Sequence, residues 1–413
     1  MKDVYIDMHV HIGASSDGQI VKVTASKDLN FENIANESLY KKGINFVGII
    51  DCQSPRVIKD IYSFLENKKA FELENGGIIY DNKICIILGA EIETSEINED
   101  GKTASAHNLC YFPHLKDIIN FSKTMSKYIK NINLSTQRAR LSGYELVKIV
   151  KENNGEIIPA HIFTPFKSYY GNCTRSLKRI FKERFEEIYA VELGLSADTE
   201  LADYISELKD INFLTSSDAH SIPKIGREYT KVRVEELSFK GLFDAIKKNS
   251  KKDKEEKINK NEKNSKNNKE QIGIIANYGM DPKLGKYHRT YCDSCKSLSE
   301  KENGICKKCG SKKIVYGVYD RILDIKDRDK SQSPKFRPKY VKQVPLEFLP
   351  GFGKKTITNL LDTFGTEMDI LHNVEISNIK NIFNEKIALE IQKLRNEEIK
   401  ISEGGGGNYG KVK

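Results

Sequence analysis

The chain has 413 residues, 38% of them hydrophobic and 30% charged, with a formal net charge of +9. At roughly 150 residues per domain this length predicts two or three domains, able to bury a core without disulfide staples. No apolar run approaches the ~18 residues of a membrane span, and the opening MKDVYIDMHVHIG lacks the apolar stretch of a secretory signal, so a cytoplasmic protein with eight reduced cysteines and no membrane partner is expected.

Short apolar runs at 4–6, 46–50, 84–88, 157–160, 190–193 and 213–215 alternate with amphipathic stretches at 30–42, 56–66, 141–153 and 197–208. Strands alternating with helices predict an α/β fold with a parallel sheet or barrel over residues 1–246. Residues 247–270 hold one apolar residue, Ile258, in 24 positions and read as a disordered Lys/Asn-rich linker. Residues 271–345 carry a cysteine cluster, and residues 346–413 read as short helices ending in a glycine-rich tail. That tail is either a frayed end or a backbone that approaches something closely. Lys and Arg against Asp and Glu give −4 over residues 1–246, +5 over 247–270 and +8 over 271–413. An acidic body followed by a basic part fits a catalytic unit joined to one that meets polyanions.

The ends of the predicted strands carry metal-binding side chains. DMHVHIG places Asp7, His9 and His11; two His at i and i+2 on an extended strand share a side and can grip one ion. Asp17 follows in a loop, then Asp51 with Cys52, GAE with Glu91, His107, the less regular His114, PAH with His161, Glu192, and SSDAH with Asp218 and His220. In a barrel these ends converge on one face. Imidazoles with shared carboxylates suit Zn, Mn or Fe, and two or three such ions form a phosphoester hydrolysis site. Any one His could equally be a satisfied core or surface residue; the repeated placement at strand ends is what argues for a site.

Cys292, Cys295, Cys306 and Cys309 form C-x2-C-x10-C-x2-C, two knuckles that complete a tetrahedron of thiolates around one structural Zn. Gly304 and Gly310 permit the turns. Further on, LEFLPGFGKKTITNLL reads as a hairpin between helices. Gly351 and Gly353 free the backbone, and Lys354, Lys355 and Thr356 open a helix that can hold a phosphate. Such contacts hold nucleic acid by its backbone without reading sequence.

The HxH, GxE, AH and DAH motifs resemble the polymerase and histidinol phosphatase (PHP) superfamily. The order of PHP motifs, four-cysteine unit and helix-hairpin-helix, with stretches such as LSTQRARLSG, PAHIFTPFKSYYG, SSDAHSIPKIGREY and EGGGGNYGKV, is similar over nearly the whole chain to the endonuclease Q family. The resemblance implies a distorted (β/α) barrel. It implies that His9, His11 and Asp218 hold one ion, His107 and His161 a second, Glu91 bridges both, and Asp17 with His220 holds a third. The family's usual TDH stands here as IDC, so Asp51 or Cys52 serves that third ion or the ion is absent. The resemblance further implies metal-dependent (Zn, Mn, Mg or Fe) nicking of DNA 5′ of uracil, hypoxanthine, xanthine or an abasic site, leaving a 3′-hydroxyl and a 5′-phosphate. Asp218, His220 and Glu91 are then the most sensitive positions. A lesion pocket is expected from the loops at 163–170 and 71–77, with Phe166, Lys167, Tyr169 and Tyr170 as its candidates, and a monomer is expected. The alternative is a PHP phosphatase for a small phosphomonoester, for which the cysteine unit and hairpin would have no purpose; a DNA-binding scaffold with a degenerate centre is the non-enzymatic one.

Overall fold

The structure is a computed structural model that describes every residue except 67, 249, 251–270, 299–300, 303–304, 406–407 and 413. Most of the linker expected at 247–270 therefore lies outside the described residues, as does Gly304. Eleven strands build the body: β1 (Lys2–Val10), β2 (Phe46–Ile49), β3 (Ala70–Glu72), β4 (Ile78–Tyr80), β5 (Ile84–Ile97), β6 (Thr103–Phe112), β7 (Glu156–Pro159), β8 (Ala190–Glu192), β9 (Asn212–Leu214), β10 (Tyr229–Val234) and β11 (Gly273–Gly279). The main sheet runs β11-β10-β1-β2-β5-β4-β3, and β6 and β7 continue from β5 along a second branch.

The sheet is mixed rather than parallel. β1, β2 and β5 are parallel neighbours, as are β8 and β9, but β1 and β10, β5 and β6, and β6 and β7 are antiparallel. The cause is the 14-residue β5, which turns through a tight loop at 98–102 into the 10-residue β6 instead of crossing over through a helix. Curvature brings the ends together. The Ile162 amide donates to the Glu192 carbonyl at 3.0 Å beside β8, and the Thr215 amide donates to Thr230 Oγ1 on β10 at 3.0 Å. Strands β1, β2, β5, β6, β7, β8, β9 and β10 all send residues into one apolar cluster, including Ile6, Phe46, Ile87, Leu109, Ile158, Ala190, Leu214 and Val232. That shared interior is the distorted barrel.

Helices pack outside it. Pro55 opens the helix Pro55–Leu65, and a reciprocal Ser142–Glu145 capping box opens Gly143–Glu152. The helix expected over 197–208 is broken: Thr199–Ala202 ends where Asp203 turns inward, and a single tight turn, Ser206–Asp210, follows. The inward carboxylate of Asp203 accepts from Arg337 Nη2 at 2.8 Å and from Ser333 Oγ at 2.6 Å. That partner lies 134 residues away, so local periodicity could not anticipate the break.

The boundary expected at 271 does not separate two bodies. β11 pairs with β10, and the strand Lys339–Lys342 pairs with β11, so both belong to the barrel's sheet. The cysteine unit is the insertion between them, built on the short strands Tyr291–Cys292, Ser297–Leu298 and Ile314–Val315. The helices Lys354–Phe364, Ile376–Ile382 and Glu385–Arg395 follow. The glycine-rich end is held rather than frayed at its described residues: Ile401–Ser402 pairs with Lys411–Val412, and the amides of Gly404 and Gly410 donate to the carbonyls of Lys283 and Leu284.

Candidate metal centre and its cleft

His9 and His11 stand at and just past the end of β1, alternating with the buried Met8, Val10 and Ile12. The Nδ1 of His9 faces Glu192 at 3.1 Å, and the Nδ1 of His11 faces Asp51 Oδ2 at 2.9 Å. In the neutral tautomer each Nδ1 therefore carries the proton and donates it to a carboxylate. Both Nε2 atoms are left as lone pairs, and they face each other at 3.1 Å. Asp218 Oδ1 lies 3.5 Å from each of them, Glu91 Oε1 is 3.5 Å from His9, and Glu91 Oε2 is 3.5 Å from His11. With both imidazoles neutral this ring of lone pairs is a cation site, which a proton occupies where an ion does not. The field there has the same sign: burial alone would push the His9 imidazole down, yet Glu192, Asp218 and Glu91 raise it to about 10.

A second set adjoins the first through Glu91. His107 Nδ1 lies 2.8 Å and His161 Nε2 3.4 Å from Glu91 Oε1, and the two imidazoles are 3.3 Å apart. His161 Nδ1 is turned to Thr164 Oγ1 at 3.1 Å. His9, His11 and Asp218 form one group, and Glu91, His107 and His161 another, whose donor atoms each lie within 4.8 Å of one another. Imidazole nitrogen with carboxylate oxygen suits a divalent ion, and the residues present fit one in each group. Against burial, which opposes charge, the neighbouring imidazoles and Lys22 hold Glu91 and Asp218 well below the carboxylate range: His107 and Lys22 for Glu91, His9 and the other imidazoles for Asp218.

The backbone is strained where these side chains are presented. Asp51, Thr136, His161, Lys167 and Asp218 all have positive φ, from 29° at His161 to 78° at Asp51. Non-glycine residues rarely adopt this conformation, and it clusters at functional sites. Gly194, with φ 77°, passes so close to His161 that a Cβ would lie 2.8 Å from the histidine's own.

Not every expected residue joins the centre. Asp17 is exposed; its carboxylate accepts from Ser15 Oγ at 2.6 Å and Gln19 Nε2 at 3.0 Å. Cys52 is buried and points its Sγ at the Ile49 carbonyl, 3.1 Å away, in the apolar core. Asp51 holds His11 rather than an ion of its own, and His114 sits apart, 3.9 Å from Glu72, at the start of the helix Leu115–Met125. His220 is adjacent: its ring lies 4.8 Å from that of His11, and its Nδ1 donates to the Asp218 carbonyl at 3.0 Å.

Beside the centre opens a cleft of about 360 Å³, lined by His161, Phe166, Glu192, Gly194, Ser196, Ser216, Asp218, His220, Arg227, Lys286, Tyr287 and Tyr409. Of the four expected pocket residues only Phe166 belongs to it. Tyr169 and Tyr170 open the helical turn Tyr169–Cys173 and are fully buried in the apolar core, with hydroxyls donating to Asn108 and Glu207. Lys167 turns to Glu93 at 2.9 Å. The loop at 71–77 does not reach the cleft. Its other aromatics come from sequence-distant segments: Tyr287 meets Phe166 edge to face at 5.7 Å, and Lys286 Nζ lies 5.0 Å from the Tyr287 ring and 5.8 Å from that of Tyr409.

The four cysteines converge, with Cys292 and Cys309 sulfurs 3.5 Å apart and Cys295 and Cys306 sulfurs 3.8 Å apart. Four thiolates form a closed set suited to Zn. In the hairpin, Gly351 takes φ 90°, and Gly351, Gly353, Lys354 and Lys355 are exposed, with Thr356 half-buried behind them. No helix among the described residues is long and apolar enough to cross a membrane.

A family model described as PHP-associated matches residues 198–250. The uncharacterized protein YqxK of Bacillus subtilis is 40% identical over 414 residues, covering 100% of both chains. The crystal structure of the lesion-specific endonuclease PfuEndoQ from Pyrococcus furiosus superposes with a TM-score of 0.79 at 31% identity, over 100% of this chain and 95% of that one. A structure of endonuclease Q in complex with a 27-mer duplex substrate carrying an abasic lesion at the active site matches with a TM-score of 0.78 at 30% identity, over 100% of this chain and 96% of that one.

Proposed function

The chain belongs to the endonuclease Q family, metal-dependent DNA endonucleases, and from that premise we propose that it nicks DNA on the 5′ side of abasic sites and deaminated bases, leaving a 3′-hydroxyl and a 5′-phosphate. The observation that carries the reading is Glu91, whose carboxylate faces both the His9–His11 and the His107–His161 pairs beside a cleft that His161, Asp218 and His220 line.

His9, His11 and Asp218 would hold one divalent ion and His107 with His161 the other, Glu91 facing both. Bound there, such ions lower the pKa of coordinated water and stabilise negative charge on phosphoryl oxygens. The chain's own residues do the rest. Glu192 and Asp51 fix the tautomers of His9 and His11. His220 keeps its Nδ1 proton on the Asp218 carbonyl, leaving Nε2 as a lone pair on a ring that lines the cleft. Burial, with His11 nearby, pushes this imidazole down to about 4, so at neutral pH Nε2 offers a lone pair to the cleft.

The cleft is the place for the damaged nucleotide. A base drawn out of the stack can lie against Phe166, Tyr287 and Tyr409, and base–aromatic stacking is worth about 1–3 kcal/mol. Deamination exchanges an amino group for a carbonyl. Lys286 and Arg227 bring donors to the cleft, which a carbonyl can accept and an amino group cannot. The four-cysteine unit would keep a structural Zn, and the Gly351–Lys355 hairpin would grip the backbone of the duplex.

The test uses duplexes carrying one uracil, one hypoxanthine, one abasic site or none, with Mg or Mn, and an Asp218→Ala control. The expected product is a nick immediately 5′ of the lesion, absent from undamaged DNA and reduced at least ~10³-fold in the control. Hydrolysis of a small phosphomonoester with every duplex intact would overturn the reading.

A further inference from the structure

Lys22 lies in none of the metal motifs, yet it reaches the heart of the centre. Its Nζ is 3.5 Å from Glu91 Oε2, 3.0 Å from Thr136 Oγ1 and 3.5 Å from Ser135 Oγ, and its side chain is only 12% exposed. Thr136 Oγ1 itself donates to Glu91 Oε2 at 2.7 Å, so this oxygen is claimed from the Lys22 side, while Oε1 faces His107 and His161. Asp51 Oδ1, buried in the same region, has no hydrogen-bond donor, and its other oxygen is taken by His11.

Two of the residues expected at a third ion point away. Asp17 is spent on Ser15 and Gln19 at the surface, and Cys52 faces a core carbonyl. The charge count favours a fixed cation as well. Asp51, Glu91, Glu192 and Asp218 bring four negative charges, which two divalent ions balance; Glu93, close by, is already paired with Arg138 and Lys167. An incoming phosphodiester adds one more negative charge, and Lys22 is a cation already in place beside Glu91 to meet it.

We propose that Lys22 is a built-in third cation: the centre takes two divalent ions, and the Lys22 ammonium supplies the remaining positive charge to the phosphoryl oxygens in the transition state. This rests on the reading of the centre as a phosphodiester hydrolase. Lysine is a compact, strongly hydrated point charge on a long stem, which suits it to stand where an ion would.

The test is a Mn(II) titration of the full-length protein, reading free Mn(II) by electron paramagnetic resonance, beside nicking of an abasic duplex at saturating Mn(II). The four-thiolate site prefers a softer ion and does not register. Wild type is expected to take two Mn(II) per chain. Lys22→Met should take the same two with undiminished affinity, while kcat falls about 10²–10³-fold, as for loss of one transition-state charge partner. Excess Mn(II) should not restore it, and Lys22→Arg should restore part. Three Mn(II) in wild type, loss of Mn(II) binding in Lys22→Met, or unchanged nicking by that variant would each overturn the proposal. A wild-type chain that takes two Mn(II) but cuts no duplex would overturn the substrate reading and leave the two-ion stoichiometry standing.

Discussion

Glu228 is a buried carboxyl group with no ion pair among the described residues. It stands immediately before β10; its Oε1 accepts the Met280 amide at 2.7 Å, and its Oε2 is buried with no donor. Burial pushes the carboxyl up to about 8, opposed by the Met280 amide and Arg227 and reinforced by Glu192 and Asp7. The ordinary value is 4.5. Between these two pH values the folded state keeps a proton that the unfolded chain has released, so stability is greatest below about pH 4.5 and declines until about pH 8, where this contribution levels off. Glu228→Gln removes the titration and should gain a few kcal/mol over wild type at pH 8–9 relative to pH 5. Urea unfolding of both proteins at those pH values checks it; a difference between them that does not vary with pH would refute the assignment. Single residues also mark how far the sequence could be read. His9, His11, Glu91, His161 and Asp218 were legible because each stands close after a short apolar run, whereas His107, which lies inside β6, was assigned by the family resemblance. Lys22 and Thr136 were not: Lys22 lies in no motif, and Thr136, though inside the LSTQRARLSG stretch, carries no metal-binding signal there and meets Glu91 only through the chain's return at 134–136. Tyr287 and Tyr409 likewise reach the cleft by packing, whereas Tyr169 and Tyr170, close to Phe166 in sequence, are directed into the core.

Among the elements, the hairpin before the helix Lys354–Phe364 separates binding from chemistry. A Cβ on Gly353 would meet nothing within 4 Å, and Lys354 and Lys355 are exposed beside it. Neither lysine is among the residues of the metal centre or its cleft, so on the proposed function their charges would hold the DNA backbone rather than take part in the cut. Removing one lysine–phosphate interaction should reduce the slope of log K against log salt by about 0.9. Lys354→Glu with Lys355→Glu should therefore raise KM for a lesion duplex about 10-fold or more at moderate salt and flatten the salt dependence by about two such steps, with kcat unchanged. Nicking kinetics across a salt series measure both; a fall in kcat with KM intact would move the hairpin into the chemistry. The cysteine unit and this hairpin were readable because short-range spacing defines them. The strand directions were not read, although the β5–β6 turn carries a local signal: Asp100-Gly101, with Gly101 at φ 75° and Asn98 Oδ1 accepting from the Asp100 and Lys102 amides.

At the scale of the whole molecule, the acidic first part and the basic last part suggested separable units, but the structure ties them into one. β11 supplies the neighbour of β10, and Asn277, on β11, donates to the Phe213 carbonyl and accepts from Thr230. Arg337 is buried against Asp203 at 2.8 Å, with both side chains at most 1% exposed, and its guanidinium lies 3.7 Å from the centre of the Phe213 ring. Lys42 meets Glu367 at 2.6 Å, again with both partners buried. Removing one member of a buried pair leaves an uncompensated charge and costs about 3–5 kcal/mol, and cutting the chain after residue 250 does this at Asp203 and Lys42 together while baring the edge of β10. Those terms rival the roughly 5–15 kcal/mol of stability that a whole domain usually has. Residues 1–250 alone should therefore give no cooperative thermal transition, or one lowered by more than about 10 °C. The same cut takes Lys286, Tyr287 and Tyr409 from the cleft, so any folded remnant should lose discrimination between uracil and undamaged duplexes. A fragment that melts at the wild-type temperature would show instead that the barrel closes without β11.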